Sequence, residues 1–287
     1  MLFITTSNGV FRFDDKTGEM KNMLMPESSL GFFGIVQDTN KDVYAASREI
    51  LGFSLKKKLS SDVILYKINP VTLYSEPLAT LRKVYDVHQI ALWKDNMYLS
   101  NSTKDVVHVF NVISKKLTGE IHLGSKRVDI HHANALLVDG EFLLVGLNNR
   151  GFCDSQVLFF PLTKTPLVKG EIVDALKTGT IKEVPGFQHT HDLEKCNGKI
   201  LLCASKEGLL VQMEDGRSLF HTDGFLRGIA EDEHGIWLGV SQMAPRKERH
   251  YSQLDGSLLL VDKKDYSLIK KFVVPGAGQV FDIIHVL

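Results

Sequence analysis

The sequence predicts an all-β chain: a six-bladed β-propeller of four-stranded antiparallel blades, one domain over residues 1–287. Three observations predict it. One hairpin pattern recurs along the chain, its spacing is that of a propeller blade, and the two chain ends complement each other. The pattern is clearest at residues 84–92, where an apolar strand opens on His88, followed by a second strand at 96–101. It returns at 129–136 with His131 and His132, ahead of 140–146, and at 189–193 with His189 and His191, ahead of 198–205.

Each strand position can be justified in turn. Second strands fall at 1–7, 41–47, 96–101, 141–147, 199–205 and 235–241, alternating apolar residues and closing on Ser, Asn or a comparable break. Third strands follow at 9–14, 63–69, 106–111, 156–162, 208–213 and 257–262. Fourth strands, more polar and therefore outer, follow at 18–24, 73–81, 116–123, 180–184, 217–221 and 267–274. First strands begin near Phe33, His88, His132, His191, Arg227 and Phe281, which by subtraction lie 55, 44, 59, 36 and 54 residues apart. Residues 279–287 form a first strand with nothing after it, and the N-terminus supplies strands two to four with no first strand. Joining them completes a sixth blade and leaves no open seam. Loops 48–62 and 242–255 exceed the pattern, as does 160–180, in which 174–177 reads as a helical turn.

The totals exclude several classes. Thirty-four basic residues balance thirty-four acidic ones, so global charge predicts no nucleic-acid partner. No uncharged apolar run is long enough to span a bilayer, which predicts no membrane partner. The N-terminus lacks the charged start and apolar core of a signal peptide, and three cysteines, Cys153, Cys196 and Cys203, suit reduced thiols. Both point to the cytoplasm. Oligomeric state is not fixed by any sequence feature.

In an up-and-down blade the start of the first strand shares an end with the loop between the second and third. His88, His132, His191 and Arg227 therefore converge at one mouth of the central channel, under basic insertions that carry Lys57, Arg246 and Arg249. Repeat three leaves two registers open: the leading Asp matches His131 to His88, and the downstream apolar pattern matches His132. Converging imidazoles suit a divalent transition metal, Mn, Fe, Zn or Ni, held by His88, His132 and His191. His131 or His189 would then move protons, and Gln89 and Asp192 would hydrogen-bond substrate or support the ligands. Metal-free acid–base histidines and structural histidines in a wet channel are the competing readings. Arg227 needs a carboxylate or an anionic ligand, with Asp192, Asp282 or Glu231 as protein alternatives. With Lys57, Arg246 and Arg249 it predicts a small anionic substrate. Trp93 and Trp237 read as core residues.

The repeat resembles the six-bladed propellers of gluconolactonase-like, strictosidine-synthase-like and NHL-repeat proteins, as in the hairpin at residues 229–239. The resemblance implies the architecture. It does not imply lactonase chemistry, because those enzymes hold their metal with Glu, Asn and Asp where this chain has His and Arg. The histidine-opened strands are more similar to an uncharacterised bacterial propeller family. Residue types also resemble those of propeller lyases that act on uronates. The expected function is a metal-dependent lyase or hydrolase acting on a small anion, such as a uronate or other carboxylated sugar. A non-catalytic scaffold or a ligand sensor is the alternative.

Overall fold

A computed structural model describes residues 1–25, 29–49, 62–82, 84, 86–124, 129–165, 170–244 and 254–286. Six antiparallel sheets are arranged as the blades of a propeller. Their inner strands, in chain order, are Ser29–Gln37, Ile90–Trp93, Ala133–Asp139, Thr190–Cys196, Phe225–Glu231 and Val280–His285. We number the blades from these strands, first to sixth. The sixth blade joins the two ends: Leu2–Thr6 pairs antiparallel with Val280–His285, and the Val286 N–H donates to the Met1 carbonyl at 3.0 Å.

The core lies between blades rather than within them. Six apolar clusters occupy the six seams; Tyr98 and Val109 of the second blade, for example, pack with Leu143 and Phe160 of the third. Each sheet has two apolar faces and needs a neighbour on both sides, so no blade is stable alone. The ring closure therefore stabilises every blade.

The Ser or Asn that ends each second strand has a structural reason. The Ser100 hydroxyl accepts the N–H groups of His88 and Gln89 at 3.2 and 3.1 Å. Ser241 accepts that of Val280 at 3.0 Å, and Ser7 that of Gln279 at 2.9 Å. Backbone donors that leave the ladder at the channel mouth are thus satisfied. They leave it because the inner strands carry β-bulges there, at Phe33, Asn134, Asp192, Arg227–Gly228 and Phe281. A bulge re-aims the side chains beside it.

Around the axis, small and polar residues alternate: Gly34, Gln89, Ala135, Asp192, Gly228, Asp282. The Gln89 carbonyl accepts the Leu136 N–H at 2.8 Å, the Asp282 carboxylate accepts that of Ile35 at 3.1 Å, and Asp192 takes that of Gly228. Each polar residue thus ties its blade to the next. The small neighbours are required, since a Cβ on Gly34 would come within 2.6 Å of the Ile90 nitrogen.

One element departs from the expected blade pattern. Within the long 160–180 connection, Glu171–Asp174 pairs in parallel with Lys116–His122 and adds a fifth strand to the second blade. The expected helical turn follows as Ala175–Thr178.

Candidate functional site

The inner strands open onto a cavity of about 390 Å³ at one mouth of the channel. His88, His132, His189, His191 and Arg227 all line it, joined by Phe33, Phe225 and Phe281. The His88 ring lies 5.4 Å from that of His132 and 6.3 Å from that of His191, centroid to centroid.

The third repeat opens in a register that neither sequence alignment anticipated. The bulge places Asn134 level with His88 and His191, and His132 stands two residues earlier, level with Asp86 and His189. These three residues share a left-handed backbone, with φ of 52°, 50° and 56°. Non-glycine residues seldom adopt it, and it turns all three side chains into the cavity. His131 is thereby turned away. Its N–H, with those of Ile130 and His132, is bound by the Asp105 carboxylate at 2.7 to 2.9 Å, and its Nδ1 faces Asn149 at 3.4 Å. The expected proton-moving role of His131 is therefore corrected: adjacent residues on one turn cannot both enter the mouth.

Gln89 and Asp192 do not line the cavity either. Both are buried on the axis, with the Gln89 amide donating to the Asp192 carboxylate at 2.5 Å. Strand alternation places them one step past the mouth residues, where they hold blades together. Lys57, Arg246 and Arg249 fall outside the described residues, as do Lys56, Lys58 and Lys247.

Two ion-paired arms, not foreseen from sequence, support the histidines. Arg48, from the end of the first blade's second strand, pairs with Asp86, whose carboxylate lies 3.6 Å from His88 Nε2. Ser102 donates to the same carboxylate at 2.6 Å. On the other side, Arg150 lies 3.2 Å from Asp129, and Asp129 lies 2.7 Å from His132 Nδ1. The signal was present in part: an Asp precedes the histidine in both repeats. Its arginine partners lie far off in sequence, and nothing in the repeat marks them.

The electrostatics follow from burial and these partners. Burial pushes the His88 imidazole down to about 4, against an opposing pull from Asp86, with Arg48 and His132 adding to the fall. Burial and the Arg227 charge also hold His191 well below its ordinary value. Both rings are neutral at neutral pH and keep a lone pair. Burial alone would raise the Asp86 carboxyl, but Arg48 and His88 hold it well below the usual range. Asp192, by contrast, is raised to about 7 by burial.

Among the described residues, the one Asp/Glu/His group whose donor atoms lie within 4.8 Å of one another is elsewhere: Asp232, Glu233 and His285, at the far end of the inner strands. The Asp232 carboxylate there is already occupied, accepting from the His234 and Gly235 N–H groups at 2.8 and 3.1 Å and from Trp237 Nε1 at 2.6 Å.

No protein-family profile and no curated protein matches the chain. Solved structures do. A chain of a nidogen/laminin complex superposes with a TM-score of 0.68 at 10% identity, covering 100% of this chain and 98% of that one. The periplasmic gluconolactonase of Pseudomonas aeruginosa gives 0.60 at 14%, covering 100% and 99%. A Bacteroides fragilis protein provisionally assigned as a 6-phosphogluconolactonase gives 0.55 at 16%, covering 94% and 80%. At these identities the likeness establishes the fold, and with it the architectural resemblance read from the repeat. The chain is a six-bladed β-propeller with a charged, histidine-rich cavity at one mouth. No helix among the described residues is long and apolar enough to cross a membrane.

Proposed function

We propose that this propeller is an enzyme of hydrolase or lyase type, acting on a small anionic substrate in the mouth cavity. The observation that carries the reading is the convergence there of three imidazoles, two of them on Arg–Asp arms, beside Arg227. Structural histidines would not need left-handed backbone at His132 and His189 to reach a cavity. Lactonase-titled neighbours of the same fold are compatible with a hydrolase.

The donor chemistry fits a divalent transition metal, Mn, Fe, Zn or Ni, on His88, His132 and His191. His132 turns its Nδ1 to Asp129, and His191 turns its Nδ1 to the His189 carbonyl at 2.9 Å. This is how ligating histidines are oriented, with the second nitrogen left for the ion. A bound metal would act as a Lewis acid on a substrate oxygen or lower the pKa of a water. Arg227 would hold the anionic group, Asp86 and Asp129 would fix the rings, and His189 would accept or return a proton. One observation favours a metal-free site instead: no three of these imidazole nitrogens lie within 4.8 Å of one another. In that reading His132, on its carboxylate, serves as the base.

Elemental analysis of protein purified without an affinity tag decides between them. Stoichiometric transition metal that disappears in His88→Ala supports the metal centre. No metal, and no uptake on titration, leaves the acid–base site.

A further inference from the structure

We propose that the mouth selects a 2-hydroxycarboxylate, its carboxylate taken by Arg227 and its hydroxyl donating to the imidazole of His191. This rests on the reading of the cavity as a substrate site. His191 Nδ1 lies 2.9 Å from the His189 carbonyl oxygen. A carbonyl oxygen only accepts, so Nδ1 carries the hydrogen and Nε2 keeps its lone pair. Burial beside Arg227 keeps the ring neutral, so no second hydrogen occupies that nitrogen. A partly buried acceptor selects a donor. Among the oxygen groups of a small anion at neutral pH, a hydroxyl donates, whereas a ketone or ester carbonyl does not.

The anchor is equally specific. The Arg227 guanidinium carbon lies 4.9 Å from the Phe225 ring centre and 5.6 Å from that of Phe281. Packing on aromatic rings constrains the guanidinium plane, and a fixed guanidinium fork matches a carboxylate at two points. The same Phe225 ring lies 5.9 Å from His191, so anchor and acceptor flank one side chain. A hydroxyl on the carbon next to the carboxylate spans such a short separation. Charge agrees: Asp86 and Asp129 are engaged by Arg48 and Arg150, so Arg227 and Lys206 leave the lining net positive.

Three small probes separate the elements of the proposal. The protein as purified is titrated with lactate, pyruvate and methyl lactate, and the histidine Cε1–H resonances are followed by NMR. Pyruvate keeps the carboxylate and replaces the donor; methyl lactate keeps the donor and loses the charge. Lactate is expected to bind at least about tenfold more tightly than either. Arg227→Lys should weaken lactate by about tenfold with an unchanged far-ultraviolet circular dichroism spectrum. Pyruvate binding as tightly as lactate overturns the hydroxyl selection, and methyl lactate doing so overturns the carboxylate anchor. If none of the three perturbs a histidine, the proposal fails. Inorganic phosphate then tests the broader reading: phosphate binding keeps the anion cavity, and its absence removes that as well.

Discussion

The two mouths of the channel offer a controlled comparison, because the same six inner strands end in both. The far cavity is the larger, about 610 Å³ against 390 Å³, and it is lined by Glu194, Glu231, Asp232, Glu233 and His285. By size and acidity it looks the better site. Its main acids are already engaged. Asp232 holds a turn and the Trp237 indole, Glu231 accepts the Asn197 N–H at 2.7 Å and pairs with Lys263 at 2.9 Å, and Glu194 accepts the Lys195 N–H at 3.0 Å. At the near mouth, by contrast, neutral imidazoles keep a lone pair, and the carboxylates orient them instead of capping turns. Free valence, rather than volume or acid content, separates a site from a surface.

The comparison can be broken most forcefully at the near mouth. Arg48→Met strands the Asp86 carboxylate in a largely buried position and should cost about 3–5 kcal/mol in urea unfolding. A loss below about 1 kcal/mol would make that arm an ordinary surface pair. At the far mouth, Asp232→Ala removes three hydrogen bonds and leaves the Trp237 N–H buried without an acceptor. About 2–4 kcal/mol of destabilisation is expected, with ligand binding at the near mouth unchanged. Altered ligand binding in that variant would mean the two ends are coupled.

Smaller effects sharpen the contrast through pH. His88 titrates at about 4 in the folded chain against 6.5 unfolded. Between those values the unfolded chain binds the extra proton, so wild type loses stability as pH falls through that window. His88→Gln should lose less over the same range, and parallel curves for the two proteins would contradict the assignment. Glu194 has the opposite sign. Burial raises it from 4.5 to about 8, so the folded chain retains the proton and loses stability as pH rises across that window. Glu194→Gln should flatten the alkaline side, though weakly, because the side chain is only partly buried. The two mouths thus respond to pH in opposite directions.

Much of this was legible in the sequence. Period-2 alternation located the blade strands, because one side-chain repeat serves every inter-blade seam. The complementary ends fixed the closure. His88, His191 and Arg227 were placed correctly because equivalent strand starts must converge on an axis. What was not legible depends on backbone or on distance. The third repeat is offset by a bulge at Asn134, with left-handed backbone at His132, and two consecutive histidines gave no way to choose the register. The strand Glu171–Asp174 is too short for a periodic signal and pairs with another blade. Arg48 approaches Asp86 from a neighbouring blade, a contact that only assembly of the ring creates.

The alternation of small and polar residues around the axis limits how such a molecule can evolve. Gly34, Ala135 and Gly228 each make room for a polar neighbour whose side chain binds the following blade. Six positions accommodate this because six is even. Duplicating a single blade would set two bulky or two small residues side by side, either crowding the centre or leaving a gap and an unmatched N–H. Growth or loss by pairs of blades would preserve the pattern. The centre of the ring thus has an effective threefold rather than sixfold period, and it imposes a parity rule on the number of repeats.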